Sequence, residues 1–246
     1  MYDQGFSPLF EQSRFAKKLD YSDFRADPAF HFAVPVRDQI HSPDSDALKI
    51  AVEQDANLFL QYLKVEKPRW GYKSLAYHPL DKVDCRHIMM STVIFKHLKS
   101  VRTVVEIGGG FGNWARLNLQ VHPGIQDWTI IDLDFVVDLQ QWYIGKSLSS
   151  DLCQKVKFIK AESLLPIFGA DLVIGAHSLS EVSLDYFKNY LKIIDKSQYF
   201  FYARHRDYPS TELSKIKFDM LVSKYKIVEN VKTENGEVDN ILFKCQ

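Results

Sequence analysis

The sequence predicts an α/β fold in which a mostly parallel β-sheet is covered by helices on both faces. From about residue 101, short apolar segments alternate with segments of helical periodicity, and this alternation is typical of parallel sheets. Near the C-terminus, Asn235-Gly236 lies between two segments of alternating polarity, which is a strong signal for a β-hairpin. The chain of 246 residues is long enough for one sizeable hydrophobic core.

The strands and helices follow from this pattern. Five apolar segments are predicted as parallel strands, at 103–107, 128–133, 156–161, 171–176 and 198–204. The hairpin supplies two further strands, at 225–231 and 238–244. Helices are predicted at 113–121 and 210–224, and others begin at Asp134 and Ser183, whose side chains can accept hydrogen bonds at a helix N-terminus.

The first hundred residues have a different texture, rich in aromatic residues and proline. Helical periodicity predicts one helix that begins at Ser45 or Asp46 and a second helix over 85–98. The segment 70–84 is predicted as a loop. We therefore expect an N-terminal, mainly helical cap segment over 1–100 and an α/β core over 101–246.

Composition and charge argue against a nucleic acid or a membrane as the binding partner. Lys and Arg together number 31, as do Asp and Glu, so no overall basic field indicates a nucleic acid partner. No apolar segment approaches the ~20 residues that span a bilayer, and the N-terminus lacks a signal-peptide pattern. The three cysteines are far apart, which disfavours a disulfide framework or a zinc cluster. We expect a cytoplasmic protein without a nucleic acid or membrane partner; an oligomer stays open.

A glycine-rich turn follows the first predicted strand. It contains Gly108, Gly109, Gly110 and Gly112, with Glu106 two residues ahead of the first glycine. Glycines in such a turn let a ligand approach the backbone closely, because no Cβ blocks it. In the dinucleotide fingerprint GxGxxG the third glycine would fall at 113, which is an asparagine. The spacing is instead GxGxG with a preceding acid.

Polar residues also follow the other predicted strands, where ligands bind in sheets of this kind. Asp132 follows the second strand about 20 residues beyond the glycine turn and is placed to accept hydrogen bonds from ribose hydroxyls. An enzyme that binds a nicotinamide dinucleotide would use the same acid, so Asp132 alone does not choose the cofactor.

The loops after the fourth and fifth strands contain the candidate residues for chemistry. His177 and Glu181 lie four positions apart and can supply a general base; His177 is the better match because the ordinary pKa of histidine lies nearer neutrality. The alternative is that His177 only packs and that Glu181 starts the next helix. His205 and Arg206 are candidates for binding an acceptor with hydroxyls or a carboxylate.

The chain from 101 to about 205 resembles the core of class I S-adenosylmethionine-dependent methyltransferases. Within that group it is most similar to the bacterial sugar O-methyltransferase family. The resemblance rests on the turn at 106–112, on Asp132-Leu133 followed by Val137 and the segment 140–143, and on the loop at 178–181.

The resemblance implies a Rossmann-like, doubly wound sheet of seven strands, the last antiparallel, and S-adenosylmethionine as the cofactor. The glycines would make room for its methionine part, Glu106 would help to hold its amino group, and Asp132-Leu133 would lie at its ribose. Further cofactor contacts are expected at Glu162 and Ser163, near the adenine, and at His177.

The implied reaction is O-methyl transfer to a small-molecule acceptor, such as a sugar or a nucleotide sugar. In many small-molecule methyltransferases an N-terminal segment covers the site, which makes Tyr77 and His78 candidates for acceptor contacts. No metal site is predicted; Asp134 and Glu181 are the acids that would contribute if a divalent ion assisted.

Two other functions are compatible with parts of the pattern. A nicotinamide-dependent oxidoreductase would share Asp132, but the glycine spacing and the absence of a Tyr-x-x-x-Lys pair after the fourth strand count against it. The other is a non-catalytic binding protein with a methyltransferase-like fold. The intact glycine turn counts against it, because such a protein would not require that turn.

Overall fold

The computed structural model describes residues 21–25, 43–72, 77–161, 169–206, 210–233 and 238–245. These residues form a seven-stranded sheet in the order β3-β2-β1-β4-β5-β7-β6. The strands are β1 Thr103–Ile107, β2 Asp127–Asp132, β3 Val156–Lys160, β4 Leu172–Ala176, β5 Tyr199–His205, β6 Lys226–Lys232 and β7 Val238–Lys244. Strands β1 to β5 pair in parallel, and β7 lies antiparallel between β5 and β6. The predicted α/β class and the antiparallel last strand are confirmed.

Eight helices lie within the described residues, after a short 3-10 turn at Tyr21–Asp23. They are α1 Ser45–Leu63, α2 Lys82–Phe95, α3 Asn113–Val121, α4 Asp134–Ser147, α5 Ser150–Cys153, α6 Ser178–Glu181, α7 Leu184–Ile194 and α8 Thr211–Val222. Helix α1 is interrupted at Asp55, whose backbone is extended (φ −162°, ψ 95°). The hairpin turn predicted at Asn235-Gly236 lies outside the described residues.

Helices α1 and α4 begin at Ser45 and Asp134 as predicted, but the predicted caps of both helices and the predicted start of α2 are wrong. Asp44 caps α1 by accepting a hydrogen bond from the Ala47 amide at 3.2 Å, in place of Ser45 or Asp46. Asp81 caps α2, so this helix begins at 82 inside the predicted loop. Helix α4 has no side-chain cap, and Asp134 is its first residue. Ser183 does cap α7, as predicted.

The hydrophobic core lies on both faces of the sheet. On one face α1 to α4 pack on β1 and β2, around the fully buried Trp114 and Trp128. On the other face α7 and α8 pack through residues such as Phe187 and Leu221. Helix α2 is buried along most of its length, so the helices of the predicted cap segment belong to the same core as the α/β part.

A buried group of charges connects the N-terminal helices to the start of α3. Asp81 accepts from Arg25 at 2.9 Å and from Lys67 at 2.8 Å, and Lys67 also lies 2.9 Å from Asp84. Asp84 in turn accepts from the Asn113 amide nitrogen at 2.9 Å. Burial alone would raise the pKa of Asp81, but Arg25 and Lys67 hold it below its ordinary value, whereas burial and Asp81 raise the pKa of Asp84.

Replacing Lys67 with Met should therefore destabilise the whole chain, because the change leaves two buried carboxyls without the ammonium between them. We expect a loss of about 3–5 kcal/mol in the free energy of unfolding, measured with urea, since breaking a buried ion pair from one side has this cost. Lys64→Met, at an exposed position on the same segment, is the control and should change it by under about 0.5 kcal/mol. Equal unfolding midpoints for the two variants would contradict the prediction.

Candidate functional site

The glycine turn lies between β1 and α3, at the carboxyl edge of the sheet. Gly108, Gly110 and Gly112 have positive φ angles of 75°, 56° and 89°, which disfavour other residues. A Cβ on Gly108 would lie 2.2 Å from the Ser178 Cβ, and one on Gly109 would lie 2.6 Å from the Ile130 side chain. The sequence favoured a ligand as the reason for these glycines over a turn without one, but at 108 and 109 the protein's own side chains already require them.

Glu106 lies beneath the turn and is almost completely buried. Its carboxyl accepts a hydrogen bond from Trp128 Nε1 at 2.8 Å. Burial raises the pKa of Glu106 to about 8, the Trp128 hydrogen bond opposes this, and the nearby Asp132 adds to it. One carboxyl oxygen of Glu106 is therefore already hydrogen-bonded within the sheet, to Trp128 of β2.

Asp132 ends β2 and is connected to the glycine turn through Gln140 of α4. Gln140 Nε2 donates to an Asp132 carboxylate oxygen at 2.7 Å and to the Gly110 carbonyl at 2.8 Å. The other Asp132 oxygen accepts from the Leu133 amide at 2.9 Å. Burial raises the pKa of Asp132 to about 7 against the opposing effect of these hydrogen bonds. The Gln140 Oε1 atom is buried and has no hydrogen-bond partner.

The two acids have a common electrostatic character. Each is held at the end of one of two neighbouring strands, and its surroundings disfavour the ionised form. A positively charged group bound nearby would favour the ionised form and lower both pKa values. The protonation of both acids therefore depends on whether a charged group is bound at this edge of the sheet.

The segment after β4 folds back over the glycine turn. His177 has φ 63° and ψ −47°, close to a rare γ-turn conformation that costs a non-glycine residue about 1–3 kcal/mol. Its amide donates to the Ala203 carbonyl at 2.8 Å, and its carbonyl accepts from the Ser180 amide at 3.0 Å. The Ser178 hydroxyl donates to the Ile107 carbonyl. These bonds hold the strained residue at the end of β4.

The two candidate bases have pKa values opposite to the sequence expectation. The rings of His177 and His205 lie 4.6 Å apart; burial, then His205, lowers the pKa of His177 to about 3. Burial raises the pKa of Glu181 to about 7, against the effect of Lys217. The argument that the pKa of His177 lies nearer neutrality is therefore wrong. Burial, which spacing does not reveal, reverses the order.

A cavity of about 130 Å³ opens beside His177. It lies where the carboxyl ends of β4 and β5 face the start of α1, one side of α2 and the β6–β7 hairpin. Its lining mixes imidazole, carboxylate, guanidinium, amide and thioether groups, from His177, His205, Asp46, Arg86, Asn240 and Met89. Arg86 Nε donates to Asp44 at 3.1 Å.

The structure separates the predicted acceptor residues. His205 lines the cavity, but Arg206 forms a two-point ion pair with Asp239, at 2.6 and 3.0 Å. The Tyr77 hydroxyl donates to the Lys67 carbonyl at 2.9 Å, and His78 Nδ1 accepts from the Leu80 amide at 3.1 Å. Neither Arg206, Tyr77 nor His78 lines the cavity.

Glu162 and Ser163, expected near the adenine, lie outside the described residues. Asp134 is exposed on the surface and pairs with Lys160. Across the described ranges, no group of three or more His, Cys, Asp or Glu side chains has an arrangement that could hold a metal ion.

Sequence reasoning missed three contributors to this edge of the sheet. Asp46 was considered only as a helix cap, Asn240 lies in a strand, and Gln140 entered only through the family resemblance. A signal existed for Gln140, since helical spacing places this polar residue on the buried face of α4, with Val136 and Tyr143. For Asp46 and Asn240 no local pattern indicates that distant segments bring them together.

Solved structures of methyltransferases have a similar fold. The methyltransferase domain of bacterial CtHen1 matches with a TM-score of 0.51 and 12% identity, over 63% of this chain and 96% of that one. The glycopeptide N-methyltransferase MtfA matches with a TM-score of 0.52 and 8% identity, over 65% of this chain and 90% of that one. The similarity shows the methyltransferase Rossmann-like fold. No protein-family model and no curated protein matches the chain significantly.

None of the helices in the described ranges has the length and apolar character needed to cross a bilayer.

The contact between Gly108 and Ser178 makes a testable prediction. Gly108→Ala should lower the free energy of unfolding by about 1–3 kcal/mol, because the new Cβ meets Ser178 and the φ angle becomes strained. Gly124→Ala is the matched control, since nothing lies within 4 Å of its added Cβ, and should be close to neutral. Chemical denaturation of both variants measures the difference.

A double variant sharpens this test. Gly108→Ala combined with Ser178→Gly removes the collision but keeps the unfavourable φ angle, so it should recover only part of the loss. Full stability of the single Gly108→Ala variant would contradict the close approach of the two turns.

Proposed function

We propose that this chain is an S-adenosylmethionine-dependent O-methyltransferase that acts on a sugar or another small hydroxylated acceptor. The observation that carries the proposal is the junction in which Gln140 donates hydrogen bonds to both the glycine turn and Asp132. The cavity at His177 lies at the same carboxyl edge of the sheet. The junction occurs in a sheet with the strand order of the methyltransferase fold. The MtfA structure is that of an N-methyltransferase, so the oxygen acceptor rests on the family resemblance and the cavity.

The residues around the turn fit this cofactor. S-adenosylmethionine supplies a methyl group bonded to a positively charged sulfur, and it also has an α-ammonium group. Glu106 and Asp132, whose surroundings raise their pKa values, would be stabilised in the ionised form by these charges. The backbone of Gly110 and the unpartnered Oε1 of Gln140 are further groups that would face the ligand. Leu133 would lie beside its ribose.

The cavity supports a small hydroxylated acceptor. Its volume of about 130 Å³ is close to that of a cavity that holds one benzene ring, about 150 Å³, so it admits one ring of a larger molecule. Asp46 provides acceptor atoms, Arg86 provides donors and Asn240 provides both. Such a mixture matches hydroxyl groups, which both donate and accept. His205 is the predicted acceptor residue that this location supports.

The base for the transfer has two candidates. Methyl transfer to oxygen is an in-line displacement, so alignment of the acceptor contributes most of the rate, and a base that removes the hydroxyl proton adds about 10²–10⁴-fold. His177 lines the cavity, but burial lowers its pKa to about 3. Glu181 has a pKa of about 7, which matches neutral pH, but it is not among the cavity-lining residues. Position favours one residue and pKa the other.

Isothermal titration with S-adenosylhomocysteine tests the proposal. We expect micromolar binding to the wild-type chain and at least about tenfold weaker binding, or 1.4 kcal/mol, to Asp132→Asn, which cannot ionise. Asp134→Asn, at the exposed neighbouring acid, is the matched control and should bind like the wild type.

The outcomes separate the competing functions. No binding at millimolar S-adenosylhomocysteine would contradict the proposal. Binding of NADH in its place would support a nicotinamide-dependent oxidoreductase. Cofactor binding without turnover on any of a panel of sugars and nucleotide sugars would support a non-catalytic protein.

The raised carboxyl pKa values predict the pH dependence of this binding. Burial raises the pKa of Asp132 to about 7 and that of Glu106 to about 8, so both acids are largely protonated below neutral pH. The α-ammonium group of S-adenosylhomocysteine would favour loss of these protons. Affinity should therefore increase as the pH rises from about 6 to about 8.5, with proton release on binding. Titrations in two buffers of different ionisation enthalpy measure the protons released. An affinity that is constant or falls over this range would contradict the assignment.

A further inference from the structure

Lys217 of α8 is a fully buried lysine outside the site described so far. Its Nζ atom donates hydrogen bonds to the carbonyl oxygens of Leu179, Ser180 and Val182, at 3.1, 2.8 and 2.5 Å. An ammonium group has three donors, so all of them are used on one short segment, 179–182. The acceptors are carbonyls at the end of α6, which have no helical partners of their own.

Burying the ammonium group of Lys217 costs free energy unless its hydrogen bonds to the three carbonyls compensate. Burial lowers the pKa of Lys217 to about 8, against the effect of Glu181, and the ammonium lies 5.6 Å from the centre of the Phe187 ring. An apolar side chain of similar size would avoid the loss of hydration. An apolar side chain would, however, leave the three carbonyl oxygens without these hydrogen bonds.

The segment that Lys217 holds is the one that folds back over the glycine turn. Its first residue is His177, with a positive φ angle, and its second is Ser178, which meets Gly108. The bonds to Ala203 and Ile107 fix the start of this segment. The bonds from Lys217 fix its end, so the strained conformation of His177 is held from both sides.

We propose that Lys217 is a positioning residue: its three hydrogen bonds hold the segment 177–182 so that Ser178 lies against Gly108 and His177 lines the cavity. The effect on the site rests on the proposed function, whereas the effect on His177 itself does not. Lys217 does not touch the cavity and acts only through this segment.

The titration of the His177 imidazole tests the proposal without any ligand. Side-chain NMR of ¹⁵N-histidine-labelled protein, assigned with a His177→Gln variant, follows its protonation. In the wild type His177 should stay neutral down to about pH 4, since burial lowers its pKa. In Lys217→Met the segment should relax, and the midpoint should rise by at least about 1 pH unit towards the ordinary value near 6.5.

Two further variants complete the experiment. Lys215→Met, at an exposed position on the same helix, is the control and should leave the midpoint unchanged. Lys217→Arg keeps a cation with several donors and should restore most of the wild-type behaviour. If Lys217→Met does not fold, Lys217→Gln, which keeps two donor hydrogens, takes its place. His205 and Arg86, which also influence His177, are unchanged in every variant.

The overturning result is a loss of stability in Lys217→Met with an unchanged His177 midpoint, because Lys217 would then be structural only. Affinity for S-adenosylhomocysteine is the second measurement and should fall at least about fivefold in Lys217→Met. If the wild type does not bind this ligand, the proposed function fails, while the His177 midpoint still decides the role of Lys217.

Discussion

Ser178 occupies the space that a side chain at position 108 would need, and this contact brings together the turns that follow β1 and β4. The two strands are neighbours in the sheet, but neighbouring strands alone do not place their turns in contact. The absence of a Cβ at Gly108 lets the second turn lie on the first. The position of His177, the cavity beside it and the burial that sets its protonation all depend on this approach.

The N-terminal helices stabilise the core and also line the cavity. Helices α1 and α2 share a core with β1 and β2. The Asp84 carboxylate of α2 accepts a hydrogen bond from the side chain of Asn113, the first residue of α3. The helix that begins at the glycine turn is therefore anchored by residues from the first hundred. The same helices contribute Asp46 and Arg86 to the cavity. The helices that support α3 therefore also form part of the cavity wall.

Much of the fold could be predicted because it depends on local pattern. β1, β7 and α3 have the predicted bounds, and the other strands differ by one residue at one or both ends. Helix starts were harder, because Ser45, Asp46 and Asp44 all suit a cap and only the backbone conformation selects Asp44. In the candidate site, Gly108 and Asp132 were predicted from spacing, and both lie at the carboxyl edge of the sheet. The order of the pKa values of His177 and Glu181 was not predicted, because it depends on burial by segments distant in sequence.

The position of β7 has a consequence for how the molecule is assembled. Strand β6 is hydrogen-bonded to β7, and β7 separates it from β5. During synthesis β6 leaves the ribosome first, so it emerges as a strand without a place in the sheet until residues 238–244 follow and insert. The wall of the cavity that contains Asn240 can therefore form only after residues 238–244 have been synthesised. An unfinished chain would expose the open edge of β5, a surface that chaperones or other chains can pair with.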